Sequence, residues 1–174
     1  MQLHWTDLQK YTLLAKESNE QEVSGIYLWG FKSRDNFFIA YYGGKAWKIK
    51  KRITEHLSNI LGFSYTLFHP DNIEIKNFRR DESIYNPEDY VIRTKGISNR
   101  REFQPFIDYM VDNLYFTYAP LSKKDFEDHA EDAERSLIIK YELLGKGNSK
   151  CGKPKSIIEL GNLKNVIENF TPEL

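Results

Sequence analysis

A chain of 174 residues, 40% hydrophobic and 14% aromatic, is long enough for one domain with a substantial core. It contains no run of about 18 apolar residues and no signal-peptide pattern, so we expect neither a membrane span nor secretion but a cytoplasmic protein. The formal net charge of zero, taken alone, argues against a strongly nucleic-acid-binding protein. Cys151 is the only cysteine and the four histidines are far apart, which excludes an internal disulfide and disfavours a zinc site.

The N-terminal part predicts a helix followed by a β-hairpin. Thr6-Asp7-Leu8-Gln9 has the form of a capping box, so we expect an N-terminal helix within residues 1–20. Two apolar runs, residues 26–31 and 37–42, flank a polar turn and predict a hairpin. The second strand should end at Gly43-Gly44.

The middle of the chain mixes one clear helix with a segment that is hard to assign. A helix is predicted from Trp47, with a buried face formed by Ile49, Ile53, Leu57, Ile60 and Leu61. Residues 62–100 show one short candidate strand at 73–78. Glu102–Val111 predicts a helix that is interrupted near Pro105.

The C-terminal part predicts a third strand and the longest helix. Leu114–Ala119 alternates like a strand, and Ser122 suits the N-cap of a helix that runs to about Leu144 and stops at Gly145. Its apolar stripe consists of Phe126, Ala130, Ala133, Leu137, Tyr141 and Leu144. The order of elements predicts a single α+β domain: a small three-stranded antiparallel sheet flanked by helices, with an inserted α/β-irregular segment at 62–112.

Four side chains after the hairpin have the spacing of one helical face: Lys45, Lys48, Arg52 and His56. An arginine suits a phosphate because its planar fork makes two charge-assisted hydrogen bonds. A histidine, with an unperturbed pKa of about 6.5, can relay a proton or bind a phosphate. The same residues are also compatible with an ordinary solvated surface.

Tyr27 lies two residues after Gly25 and Tyr42 directly before Gly43, on neighbouring predicted strands, so their hydroxyls could meet at one end of the sheet. A strand tyrosine is more often a core residue with its hydroxyl at the surface. A phenol with a pKa of about 10 needs nearby cations or a metal-bound water to act as a base.

Glu134 lies at the margin of the apolar stripe of the long helix, where a carboxylate can face a cleft. Mg²⁺ is held by one or two carboxylates together with waters and phosphate oxygens, so one glutamate is sufficient in principle. The same helix offers Glu127, Asp128, Glu131 and Asp132 as alternatives. Asn148 is either a hydrogen-bonding site residue or a turn former.

These residues resemble the GIY-YIG endonuclease superfamily. Gly25-Ile26-Tyr27 matches the first half of the family signature, and Tyr42-Gly43-Gly44 is similar to the second half, with glycine where isoleucine or valine is usual. Tyr41-Tyr42-Gly43 is closer as a tripeptide. We prefer the former register because Gly44-Lys45-Ala46, with Arg52 eight residues after the glycine, then resembles the family's Gly-Lys-Ala…Arg segment.

Later residues resemble the family as well. Glu134 looks like its metal-binding glutamate and Asn148 like its downstream asparagine, while His56 matches the histidine of homing-type and some restriction-type members. The resemblance covers residues 24–61 and about 113–149. It implies that residues 62–112 are an insertion, which in restriction-type members serves DNA recognition.

The resemblance implies a metal-dependent endonuclease that hydrolyses DNA phosphodiester bonds with Mg²⁺ or Mn²⁺, most simply at a specific sequence of double-stranded DNA. Glu134 would hold the metal, Arg52 would stabilise the developing charge, and Tyr27 would orient or deprotonate the attacking water. Supporting roles fall to Tyr42, Lys45, His56 and Asn148. The basic residues that could contact DNA are Lys48, Lys51, Arg79, Arg80, Arg100 and Arg101, although such residues also serve solubility.

Other functions remain open at this stage. One is a catalytically inactive nucleic-acid-binding module that keeps the fold, and another is a structure-specific nuclease for damaged or branched DNA. An enzyme acting on RNA or on a small phosphodiester is a third. The sequence indicates no membrane partner and leaves the oligomeric state open, a homodimer included.

Overall fold

The computed structural model describes residues 2–11, 22–88, 100–141, 143 and 158–160. The strands in these residues are β1 (Gln2–His4), β2 (Gln9–Lys10), β3 (Gly25–Lys32), β4 (Phe38–Ala46), β5 (Leu114–Pro120) and β6 (Ile158–Leu160). The helices are α1 (Ile49–Leu61), α2 (Pro70–Glu74), α3 (Arg100–Asp112) and α4 (Lys123–Lys140), with a 3₁₀ turn at Arg80–Glu82. No helix in the described ranges combines the length and the apolar character that crossing a membrane requires.

The main sheet is antiparallel and has four strands in the order β2-β5-β3-β4, while β1 and β6 pair in parallel as a separate ladder. The α+β class is therefore confirmed, but the expected three-stranded sheet gains β2, which pairs with Tyr115 and Phe116 of β5. The prediction of an N-terminal helix is wrong for the described residues 2–11, which contain β1 and β2 instead. The Thr6 hydroxyl bonds across to Thr117 and Tyr118 rather than capping a helix, so pairing with the sheet overrides the local capping signal.

Gly43 and Gly44 lie inside β4 rather than at its end, because they pair with Leu28 and Tyr27 of β3. A Cβ atom at Gly44 would lie 2.6 Å from the Tyr27 hydroxyl oxygen, so glycine is required for this close approach of the ring to the strand. β4 consequently continues to Ala46, and α1 begins at Ile49 instead of the predicted Trp47.

A β-bulge between β3 and β4 reorients the second strand. Trp29 pairs with Tyr42 and Gly30 pairs with Ala40, which leaves Tyr41 without a counterpart on β3. Both Tyr41 and Tyr42 therefore pack towards the same face of the sheet, whereas strict alternation would place them on opposite faces.

The sheet separates two hydrophobic cores. One face packs against α1, α3 and the segment that follows α1, and the other packs against α4 together with Leu3 and Trp5. The predicted insertion at 62–112 supplies a large part of the first core through Phe63, Leu67, Phe68, Ile73, Tyr85, Phe103, Ile107 and Met110. Each such side chain contributes about 1.5–3 kcal/mol on burial, so the described part of this segment is integral to the domain.

Two expectations within this segment are wrong. Ile73 lies in α2 rather than in a strand, because His69 and Pro70 begin a helix there. α3 continues through Pro105 without interruption. Proline removes one N–H donor, and packing of Phe103, Ile107 and Met110 against the core compensates for the loss.

The long helix is confirmed at its start. The Ser122 hydroxyl oxygen accepts the Asp125 N–H at 3.1 Å, and the predicted stripe residues Phe126, Ala130, Ala133 and Leu137 are buried. α4 ends at Lys140 with Tyr141 as C-cap, before the predicted Leu144; Gly145 is outside the described residues.

The buried face of α1 differs from the prediction at two positions. Leu61 is 41% exposed, whereas His56 is 1% exposed and joins Ile49, Ile53 and Ile60 on the buried face. His56 was expected on the face shared with Lys48 and Arg52, and the structure places its side chain in the core.

Candidate active site

Side chains from β3, α1 and the loop after α1 form a hydrogen-bonded chain in the first core. The Tyr27 hydroxyl oxygen lies 2.8 Å from Nε2 of His56, and Nδ1 of His56 lies 2.6 Å from the hydroxyl oxygen of Tyr65. The amide nitrogen of Asn59 donates to Tyr65 at 3.4 Å. We call Tyr27, His56 and Tyr65 the tyrosine–histidine cluster.

The Tyr27 side chain is positioned by the sheet. Alternate residues of β3 face α1, so Tyr27 is directed to the same core as Trp29 and Phe31. Gly44 leaves room beside its ring, and His56 lies one helical turn after Arg52 on the facing helix. The local rules for strand alternation and helical spacing thus bring together residues that are 29 positions apart in the chain.

Burial raises the pKa of the Tyr27 hydroxyl well above its ordinary value, and the neighbouring Tyr42 adds to the shift. The guanidinium of Arg52 opposes this through a hydrogen bond to Tyr27, but it does not outweigh burial. The Tyr27 phenol therefore stays protonated near neutral pH, which disfavours the role of deprotonating a water and favours the role of orienting one.

His56 is uncharged near neutral pH. Burial lowers its pKa to about 4, and the positive charge of Arg52 acts in the same direction. A neutral imidazole has one N–H and one lone pair, so it donates to one of the two tyrosine oxygens and accepts from the other. When the proton is on Nε2, the Tyr27 O–H remains able to donate to a group outside the cluster.

Arg52 connects the cluster to the surface. Its side chain is 42% exposed, and Nη1 donates to Oε2 of Glu55 at 2.8 Å. The bond to Glu55, followed by the bond to Tyr27, raises the pKa of Arg52 further. A permanently charged, half-exposed guanidinium beside a buried phenol can bind a phosphate oxygen from the solvent side.

Tyr42, not Tyr41, lies next to the tyrosine–histidine cluster. Its ring centroid is 4.9 Å from that of His56 and 6.3 Å from that of Tyr27. Tyr41 instead packs edge-on against Phe78 at 4.9 Å within the core. Of these two tyrosines, the structure therefore places Tyr42 beside His56.

Glu134 and Lys45 form a second group on the other side of β4. Nζ of Lys45 lies 3.9 Å from Glu134 and 3.5 Å from Glu131. Burial raises the pKa of Glu134, and the charge and backbone N–H of Lys45 partly offset that effect.

The predicted helical face of Lys45, Lys48, Arg52 and His56 is wrong in part. Lys45 belongs to β4 and faces α4, because β4 continues past the glycines. Lys48 is the N-cap residue of α1 and forms an ion pair with Glu22. Arg52 and His56 alone remain together on α1.

The carboxylate of Glu134 suits a hard cation such as Mg²⁺, provided that a bound ligand completes the coordination of the ion. No three His, Cys, Asp or Glu side chains converge as a metal cage in the part of the chain that the structure describes. Lys45 and Arg135 balance the charges of Glu134 and Glu131. Mg²⁺ accepts one or two carboxylates completed by waters and phosphate oxygens, so the residues fit Mg²⁺ or Mn²⁺ only when a phosphate is bound with the ion.

Several predicted contacts to DNA already have partners within the domain. Arg79 pairs with Asp81 at 2.8 Å, and the Arg100 guanidinium lies over the Phe63 ring at 5.8 Å. Lys51 and Arg101 are exposed. The side chain of Arg80 and the whole of Asn148 lie outside what the structure describes.

The sequence interpretation missed two neighbours of His56. The Trp29 ring lies 5.4 Å from the His56 ring, and the strand period of two, counted from Tyr27, could have indicated it. Tyr65 follows α1 in the segment that was hard to assign, and no local pattern indicated its contact with His56.

Comparison with protein-family models, with curated proteins and with solved structures finds no match to this chain. The chemistry of the site therefore has to be inferred from its geometry.

Proposed function

We propose that the chain is a metal-dependent endonuclease of the GIY-YIG type that hydrolyses DNA phosphodiester bonds. The substrate that we propose first is a specific sequence of double-stranded DNA. The observation that carries this proposal is the tyrosine–histidine cluster, with the half-exposed Arg52 one helical turn before His56 on α1 and near enough to affect the pKa of Tyr27. The hydroxyls of Tyr27 and Tyr65 form hydrogen bonds with the imidazole of His56 within the first core. A half-exposed guanidinium at the end of that chain adds the group that a phosphate requires.

In this proposal Arg52 binds a non-bridging oxygen of the scissile phosphate and stabilises the charge that develops there. The Tyr27 hydroxyl, kept protonated by burial, donates a hydrogen bond that orients the attacking water or the phosphate. Neutral His56 fixes the direction of the Tyr27 hydroxyl, and Tyr65 fixes the ring of His56.

Glu134 would hold Mg²⁺ or Mn²⁺, with Glu131 three residues earlier on the same face of α4. When bound, such an ion neutralises phosphate charge and lowers the pKa of a coordinated water. The protein contributes a half-buried carboxylate, and Lys45 favours its ionised form.

A second candidate is a catalytically inactive nucleic-acid-binding module. It is favoured by the burial of Tyr27 and His56, which are each 1% exposed. A buried pair of this kind can serve stability alone. The distinction between the two candidates is experimental.

The test is incubation of purified protein with supercoiled plasmid, a branched duplex and RNA, with Mg²⁺ or with a chelator. We expect magnesium-dependent DNA cleavage that Glu134→Gln removes and that Glu127→Gln retains, because Glu127 is an exposed carboxylate on the same helix. Preference for the branched duplex would shift the substrate to damaged or branched DNA. DNA binding without cleavage by the wild-type protein would support the inactive module, and cleavage unaffected by Glu134→Gln would overturn the metal assignment.

A further inference from the structure

An aromatic pocket adjoins the tyrosine–histidine cluster, and the function proposed above assigns no ligand to it. Its volume is about 300 Å³, at the lower end of the range for small-molecule sites, about 300–1,000 Å³. Six rings contribute to its walls: Trp29, Tyr41, Tyr42, Tyr65, Phe68 and Phe78. A pocket of this size suits a single planar group rather than a helix or a peptide segment.

The walls favour a flat π-system and disfavour a phosphate. The Trp29 and Tyr65 rings stack on each other, with centroids 6.1 Å apart and planes within 7° of parallel. Trp29 is buried and Tyr65 is partly exposed, so Tyr65 is the member of this pair against which a flat group can stack. The described residues that line the pocket include no lysine or arginine, and Glu88 adds a carboxylate. The described lining therefore offers no cation to the phosphate of a nucleotide.

The polar groups of the lining suit a heterocycle with hydrogen-bonding edges. The side-chain oxygen of Asn86 accepts the Glu88 N–H at 3.1 Å, so the group that Asn86 offers to a ligand is its NH₂. Thr66 adds a hydroxyl. A hydrocarbon ring could not use these groups, whereas a nucleobase can.

The pocket and the proposed phosphate site share side chains. Tyr42 and Tyr65 line the pocket, and both contact His56. Burial raises the pKa of the Tyr65 hydroxyl, and the hydrogen bond from Asn59 and the nearby positive charge of Arg52 partly offset that effect. Because the pocket adjoins the proposed phosphate site, a nucleotide whose phosphate binds Arg52 could place its base in the pocket.

We propose that this pocket receives one unpaired nucleobase of DNA, stacked on the Trp29 and Tyr65 side of the pocket and hydrogen-bonded by Asn86, while an adjacent phosphate binds Arg52. The choice of DNA rests on the proposed function. A base that leaves a duplex, or that is already unpaired, can enter such a pocket at the cost of lost stacking and pairing.

The experiment uses a single-stranded DNA pentanucleotide with a central 2-aminopurine, in the absence of divalent metal so that no cleavage occurs. Stacking on aromatic rings quenches the fluorescence of 2-aminopurine, and titration gives the affinity. We expect quenching by the wild-type protein. Asn86→Leu should bind roughly 5- to 10-fold more weakly, the loss expected for one hydrogen bond. Thr66→Trp, which fills the pocket, should abolish the quenching.

Asn72→Leu is the matched control, because Asn72 is a partly buried surface asparagine with one side-chain hydrogen bond, to the Glu82 carbonyl, away from the pocket. It should behave as the wild type does. Absence of quenching by the wild type, or equal quenching by all four proteins, would overturn the pocket proposal. Plasmid cleavage by the same preparations separates the two inferences: cleavage without quenching refutes the pocket alone, and quenching without cleavage refutes the nuclease alone.

Discussion

The buried imidazole of His56 should make the stability of this protein depend on pH in a defined window. Burial lowers the pKa of His56 from 6.5 to about 4 in the folded chain. Between these values the unfolded chain binds a proton at His56 that the folded chain does not bind. The free energy of unfolding should therefore rise with pH from about 4 to about 6.5, by about 3 kcal/mol in total, and His56 should add nothing to the slope above that window.

Urea unfolding, followed by tryptophan fluorescence at half-unit steps from pH 4 to 8, measures this contribution. The readout is the difference in slope between the wild type and His56→Gln, because other groups titrate in the same range. Glu134 has a raised pKa and acts in the opposite direction, but it is common to both proteins. His129→Gln, a substitution at an exposed histidine of α4, should retain the wild-type slope. Equal slopes for the wild type and His56→Gln would refute a buried, neutral His56.

Three further predictions concern the surroundings of Tyr27. Gly44→Ala places a Cβ atom 2.6 Å from the Tyr27 hydroxyl oxygen, so we expect a loss of about 1–3 kcal/mol in urea unfolding; wild-type stability would show that the ring does not lie against the strand. Tyr27→Phe leaves a buried nitrogen of His56 unpaired and should cost about 1–3 kcal/mol, with a fall in any cleavage rate. Tyr65→Phe should cost less, about 0.5–1.5 kcal/mol, because the partly exposed Tyr65 position allows water to replace the hydroxyl; the reverse order in the same assay would contradict the assigned burial.

The hairpin and α1, α3 and α4 could be predicted because their signals are local. Strand periodicity, helical spacing and the Ser122 cap depend on neighbours in the chain, and they were confirmed apart from their boundaries. The glycine pair was misread as a strand end, because its reason is the Tyr27 ring on the neighbouring strand. Such a contact is not visible in a local pattern.

The errors elsewhere have the same origin. Thr6 bonds to β5 instead of capping a helix. The burial of His56 depends on its contacts with Tyr27, which is distant in the chain, and with Tyr65, which lies in an irregular segment. The resemblance implied that residues 62–112 are an insertion. In the structure, the described residues of this segment, 62–88 and 100–112, contribute side chains to the first core. Of the candidate site, Tyr27, Tyr42, Arg52 and His56 came together as expected, and Lys45 with Glu134 formed a separate group.

The rate of magnesium-dependent DNA cleavage under single-turnover conditions, compared between the wild type and Arg52→Ala, tests the central claim most directly. Arg34→Ala is the control, because Arg34 is an exposed arginine on the hairpin turn and forms an ion pair with Asp71 of α2. We expect Arg52→Ala to cut about 10²-fold or more slowly, as for the loss of one donor that stabilises transition-state charge, while Arg34→Ala cuts at the wild-type rate. Cleavage by Arg52→Ala at the wild-type rate would contradict the assignment of the active site to the Arg52 end of the tyrosine–histidine cluster.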